Sequence, residues 1–197
     1  MTRTKFAALA GLVGVCWLIG TIVSLTYVQY DFMRSLRWHP ISAATIDWPS
    51  GLALGPYGRW MSAAFLICGG ALGLFGWGLA QYKLGWGARL VSLSGLGMAL
   101  LVLPTDPTYR TTPATWSGIL HDASYIFLGL TLFTGMGLLA RQFARHEQWR
   151  HLTGFTWGAL GLAGVAFALK GIFVYVYLVV LALWFIVMAW RLWRTAG

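Results

Sequence analysis

The chain has 197 residues, 58% of them hydrophobic and 10% charged, with a net charge of +9 and a mean hydropathy of +0.70. That composition excludes an ordinary soluble domain. The basic surplus lies between apolar runs, which points to membrane orientation and contact with anionic lipid rather than to nucleic acid.

A hydrocarbon core about 30 Å thick takes roughly 20 residues of helix to cross. Six apolar stretches are predicted as spans, over residues 6–29, 60–82, 88–103, 115–140, 152–170 and 171–190. The third is short, and the last two are joined almost without a loop. No segment is long or polar enough for a second domain, so the expected fold is a single all-α integral membrane protein, a six-transmembrane-helix bundle passing repeatedly through the cell membrane. With the N-terminus inside, the inner segments hold Arg3, Lys5, Lys83, Arg89, Arg141, Arg145, Arg150, Arg191 and Arg194. The outer segments hold Arg34, Arg37, Arg59, Arg110 and Lys170. Cytoplasmic segments carry the excess of Lys and Arg, so the bias reads N-in and C-in.

The first apolar run is long for the core of a cleaved leader and is read as a span. Cys16 and Cys68 fall at mid-membrane depth in different helices and are expected to be buried apolar fillers. Between the first two spans, Pro40, Pro49 and Pro56 prevent one continuous helix, and Trp38 and Trp48 suggest a segment folded at the membrane interface. Small-xxx-small pairs at Gly69/Gly73 and Gly154/Gly158 predict closely packed second and fifth helices. Trp60, Trp86, Trp116, Trp149, Trp190 and Trp193 fall near span ends, as an aromatic belt would. The loop after the fourth span is basic, and its His146 and His151 are five residues apart, a poor spacing for a shared metal.

Four of the five acids, Asp31, Asp47, Asp106 and Asp122, fall on the expected outer side with His39 and His121. Asp106 stands in a Pro104-Thr105-Asp106-Pro107 turn. His121 and Asp122 come about two helical turns into the fourth span, with Ser117, His121 and Ser124 on one face and Tyr125 one turn below His121. A carboxylate at that depth costs about 3 kcal/mol at a helix centre, so Asp122 is expected to face the bundle or a wet cavity. Arg59 and Arg110 are its candidate partners, and His121 is the candidate partner of Asp106.

Three readings follow. The residues form a structural network, or they line an outer-leaflet pocket for a lipid or other amphiphile, or they bind a metal through Asp106, His121 and His39 and hydrolyse lipid. The favoured functional statement is a non-enzymatic lipid or amphiphile pocket built from Asp106, His121, Asp122, His39, Ser117, Tyr125 and Arg59. It needs no cofactor or metal, and its partners are membrane lipids. The alternatives are an accessory subunit packed against membrane-protein partner chains, and a metal-dependent lipid hydrolase.

The His39-Pro40-Ile41-Ser42 loop, the Gly55-Pro56-Tyr57-Gly58 turn, the Pro104–Pro107 turn and the Gly118-x-x-His121-Asp122 element, in this order, resemble the domain-of-unknown-function 998 family of six-helix prokaryotic membrane proteins. The resemblance covers nearly the whole chain and implies the six-helix fold. It implies no activity, since none is established for the family. A distant likeness to the eukaryotic Frag-one, DRAM and Sfk-one group hints at lipid homeostasis by fold analogy alone. Family members often carry a histidine where this chain has Ser117, a departure that argues against a metal site here.

Overall fold

Lipid tails are as apolar as leucine, so helices in a bilayer associate through close backbone approach and dispersion. The fold follows the residues that permit such approach. The computed structural model describes residues 1–195. Its helices are α1 (Arg3–Val28), α2 (Tyr30–Ser35), α3 (Gly58–Ala80), α4 (Gly85–Leu100), α5 (Trp116–Phe143), α6 (Thr153–Leu169) and α7 (Phe173–Thr195), with 3₁₀ turns at Ser50–Leu54 and Arg150–Leu152. Five are long and apolar enough to cross a membrane: α1, α3, α5, α7, and α6 together with the turn before it. The short third stretch of the sequence forms α4, whose 16 residues reach about 24 Å at 1.5 Å per residue and which is not among the five.

Six helices pack in a closed ring, each on the next in sequence: α1 on α3, then α4, α5, α6 and α7, which returns to α1. Most of the cations gather at one end, with the amino terminus, the α3–α4 and α5–α6 turns and the end of α7. The other end carries the long connections, residues 29–57 and 101–115. These are called the basic end and the looped end below.

Glycine sets the tightest contacts. A Cβ on Gly95 of α4 would lie 2.4 Å from the Gly69 carbonyl oxygen of α3, and one on Gly76 would lie 2.2 Å from the Ser92 nitrogen. On the opposite side of α4, a Cβ on Gly87 would come 2.7 Å from the Leu139 nitrogen of α5. The gap between α3 and α4 is bridged by Ser92, whose hydroxyl donates to the Gly73 carbonyl at 2.7 Å. So α3 is closely packed, as its glycines suggested. α6 is not: Gly154, Gly158, Gly161 and Gly164 have nothing within 4 Å of a Cβ built on them. The same spacing that is a contact seam on α3 is an open face on α6.

Inside the ring, Phe75 meets Phe185 edge-on at 5.7 Å and Trp184 meets Phe185 at 4.9 Å. The buried Trp184 indole donates to the Thr156 hydroxyl at 3.3 Å. Three sequence expectations are corrected here. Trp149 is fully buried rather than part of a belt, stacked on Phe143 at 5.4 Å, because the α5–α6 turn folds it inward. Cys16 is exposed on α1, and only Cys68 is buried. Trp38 and Trp48 also point inward, donating to the Ala44 carbonyl and the Thr26 hydroxyl, so residues 30–57 form a packed cap with its own apolar core.

Replacing Gly95 by valine should cost about 1–3 kcal/mol, the range for an overpacked core, whereas Gly158→Ala should leave stability unchanged. Thermal unfolding of both variants in detergent checks this. Equal effects would show that the α3–α4 contact is not specially tight.

Candidate functional site

Three connections converge on the looped end, those after α1, α4 and α6, and the candidate residues are best followed outward from His121. It lies in the second turn of α5 and is buried, its ring edge-on to Phe65 at 6.4 Å. Nδ1 is 2.7 Å from the Leu103 carbonyl and Nε2 is 3.0 Å from the Ser50 hydroxyl. A carbonyl can only accept, so Nδ1 carries a proton, and in the neutral ring Nε2 accepts from Ser50. One imidazole thus ties α5 to the end of α4 and to the 3₁₀ turn ahead of α3. Both nitrogens are occupied.

Asp106 is bound locally. Its carboxylate accepts from the Thr115 amide and the Thr115 hydroxyl, each at 2.8 Å, with Arg110 Nε at 3.9 Å. Thr115 is also the N-cap of α5, accepting from the Gly118 amide at 3.1 Å, so its one hydroxyl proton goes to Asp106 and the Ser117 hydroxyl, 2.9 Å away, donates to it. Position 118 must be glycine for this: a Cβ there would lie 2.2 Å from Asp106 Oδ2. The two hydrogen bonds from Thr115, then the Arg110 charge, hold the Asp106 carboxyl below its usual range.

Two further braces complete the cap. Asp47 accepts from the Thr108 amide at 2.9 and 3.1 Å and from the Thr108 hydroxyl, joining the two long connections. Gln29, buried at the end of α1, donates to the Leu52 carbonyl at 3.1 Å and accepts from the Tyr57 amide at 3.1 Å. Ser50, Thr108, Thr115 and Gln29 were not singled out from sequence. Thr115, three residues ahead of Gly118 at a helix start, carried a capping signal; the others carried none.

The remaining candidates are not drawn in. Asp122 is exposed, with no hydrogen bond or ion pair among the described residues, contrary to the expected inward carboxylate. The reason is helix length. α5 has 28 residues and α6 has 17, so α5 overshoots its neighbour. Tyr125 packs on Phe167 of α6 at 6.2 Å, and one turn farther along each helix Asp122 comes level with Lys170, where α6 ends. Two turns into α5 therefore still lies at the end of α6 rather than alongside it. Arg59 is exposed, its guanidinium 6.0 Å from the Trp60 ring rather than against an acid. His121 bonds to Leu103 and Ser50, not to Asp106. His39 pairs through its backbone with Ala43, and the adjacent Pro40 carbonyl accepts from the Tyr175 hydroxyl of α7 at 3.0 Å. Ser124 turns back to the Leu120 carbonyl at 2.6 Å. Among the described residues no three His, Cys, Asp or Glu side chains converge as metal ligands would, so the Asp106, His121 and His39 set does not form.

The basic end has the opposite character. Among the described residues four buried side-chain atoms have no hydrogen-bond partner: His146 Nδ1, Trp149 Nε1, Thr153 Oγ1 and Arg191 Nε. All lie in the α5–α6 connection, at the start of α6, or on the end of α7. Two clefts open at this end. One, about 270 Å³, is lined by His151, Leu152, Val187, Trp190, Arg191 and Arg194. The other, about 390 Å³, lies between α3 and α4 with Trp77 and Arg89 over an apolar floor of Leu93 and Leu96. No family model, curated protein or solved structure matches the chain.

Replacing His121 by alanine should cost about 1–3 kcal/mol by leaving the Leu103 carbonyl and Ser50 hydroxyl unpaired. Faster limited proteolysis within residues 43–57 and 101–115, with α6 and α7 unaffected, is the expected readout. Asp106 supplies a pH signature. Its pKa is depressed from an ordinary value of about 3.9, so its contribution is complete above that value and is lost as pH falls below it. Hydrogen exchange at residues 104–118, corrected for the intrinsic rate, should rise with acid below about pH 4 and lose that dependence in Asp106→Asn.

Proposed function

We propose that the chain is a six-span protein of the cell membrane, with both termini on the cytoplasmic side, that binds membrane lipid and catalyses no reaction. The observation that carries this reading is the division of polar groups between the two ends. At the looped end His121, Asp106, Asp47 and Gln29 are bonded to the protein itself, and among the described residues no metal-ligand set forms there. At the basic end buried donors lack partners, and two clefts combine arginine, tryptophan and apolar side chains. This is the chemistry of a lipid headgroup above its acyl chains. The lipid or amphiphile pocket expected at the outer end therefore moves to the inner leaflet, and the outer cluster becomes a clasp. The cation bias toward the basic end supports the N-in, C-in orientation, and α4, flanked by α3 and α5, serves as the short sixth span.

A second reading, an accessory subunit, is favoured by the open glycine face of α6, which would suit a partner helix in the membrane.

Native mass spectrometry of the gently solubilised chain separates the two. Phospholipid retained on the single chain is the expected result. A lipid-free chain that arrives with a fixed partner protein would contradict lipid binding and support the subunit.

A further inference from the structure

The cleft between the start of α6 and the end of α7 carries more than a basic surface. His151 and Arg194 are exposed at its rim, and the Arg194 guanidinium lies 4.6 Å from the Trp190 ring. Arg191 lies deeper. Its Nη2 donates to the Gln148 carbonyl and its guanidinium sits 6.0 Å from the Trp149 ring, which fixes the group in place, while Nε is buried without a partner. α6 begins at Thr153, directly beyond His151 and Leu152, with no side-chain cap and no acid in its first turn. The 3₁₀ turn runs straight into it, the Thr153 amide donating to the Arg150 carbonyl, and among the described residues the buried Thr153 hydroxyl has no partner.

We infer that this cleft is a binding site for a phosphate group, with the headgroup of an anionic inner-leaflet phospholipid as its ligand. The inference rests on the lipid-binding reading above and names the site and the headgroup chemistry. Arginine donors in a planar fork and a neighbouring histidine both complement a phosphate. At about 270 Å³ the cleft is far larger than the roughly 30 Å³ that one water occupies in the liquid. Along α7, moving away from the basic end, Arg194 is followed by Trp190, Ile186 and Leu183, all exposed and on one face by their spacing of three and four residues. A lipid whose phosphate sits at Arg194 would lay its acyl chains along that apolar stripe.

The test compares two double variants by native mass spectrometry of the full chain, ejected from nanodiscs of phosphatidylcholine doped with phosphatidic acid. His151→Gln/Arg194→Gln alters the rim of the cleft and spares Arg191, which braces the turn. Arg141→Gln/Arg145→Gln alters exposed cations at the same end, outside the cleft. With His neutral, the second variant removes one more positive charge than the first. General attraction to an anionic bilayer therefore predicts the larger loss in the second, and a built site predicts it in the first. The expected result is a loss of phosphatidic acid of about tenfold or more in the cleft variant, with the control close to wild type. A parallel titration of the detergent-solubilised chain with inorganic phosphate separates the sources. Cleft-dependent binding of the lipid alone assigns a lipid headgroup, and cleft-dependent binding of free phosphate as well assigns a phosphate site open to water. Equal or greater loss in the control overturns the site. If phosphatidylcholine and phosphatidic acid are both retained without dependence on the cleft, lipid binding stands and this site falls. If the wild type retains no lipid, both fall.

Discussion

The structure depends on how closely α4 is held between its neighbours. Hydrocarbon offers no reward for bringing apolar faces together, so the bundle needs places where backbones can touch. Gly69, Gly76 and Gly95 supply them on one side of α4 and Gly87 on the other. With α3, α4 and α5 fixed in this way, the ends of α4 and α5 stand beside the turn that leads into α3. His121 can then reach both Leu103 and Ser50. The clasp at the looped end is a consequence of the glycine packing rather than a separate device.

Polar groups divide unequally between the ends, and the proposed function rests on that division. At the looped end each carboxylate or amide that leaves the aqueous phase finds a partner within the chain, and the apolar face of the cap closes over Met61, Phe65 and Leu128. At the basic end the aromatic packing of Trp149 against Phe143 and Tyr82 is tight, yet Trp149 Nε1 and Arg191 Nε have no acceptor among the described residues. A buried donor without an acceptor costs about 1–3 kcal/mol.

The long apolar helices were legible because length and hydropathy decide them almost alone, and their ends differ from the expected ones by only a few residues; five of the six expected spans are long and apolar enough to cross a membrane, and α4 is not among them. Partner choice was not legible. Gly69/Gly73 and Gly154/Gly158 are the same motif, but the first faces a helix and the second faces outward, and no local feature separates them. Asp122 was misread as facing inward because counting from the start of a helix assumes that its neighbours run beside it from that start, and α5 overshoots α6. The importance of His121 and Asp106 was visible from their rarity in an apolar chain, whereas their partners were not. His121 reaches Ser50, 71 residues away, and Asp106 turns to Thr115, a capping threonine, instead of to the nearby histidine. The unpartnered donors at the basic end leave no sequence signature, since they arise from how the α5–α6 turn meets α7.

The most direct test of the division between a sealed looped end and a lipid-binding basic end is photo-crosslinking in native membranes. A phospholipid bearing a photoreactive headgroup would be used, and the labelled peptides located by mass spectrometry. Labelling concentrated on residues 151–155 and 187–194 is the result this account predicts. Labelling concentrated on residues 43–57 and 101–121 would place the lipid under the outer cap and contradict it.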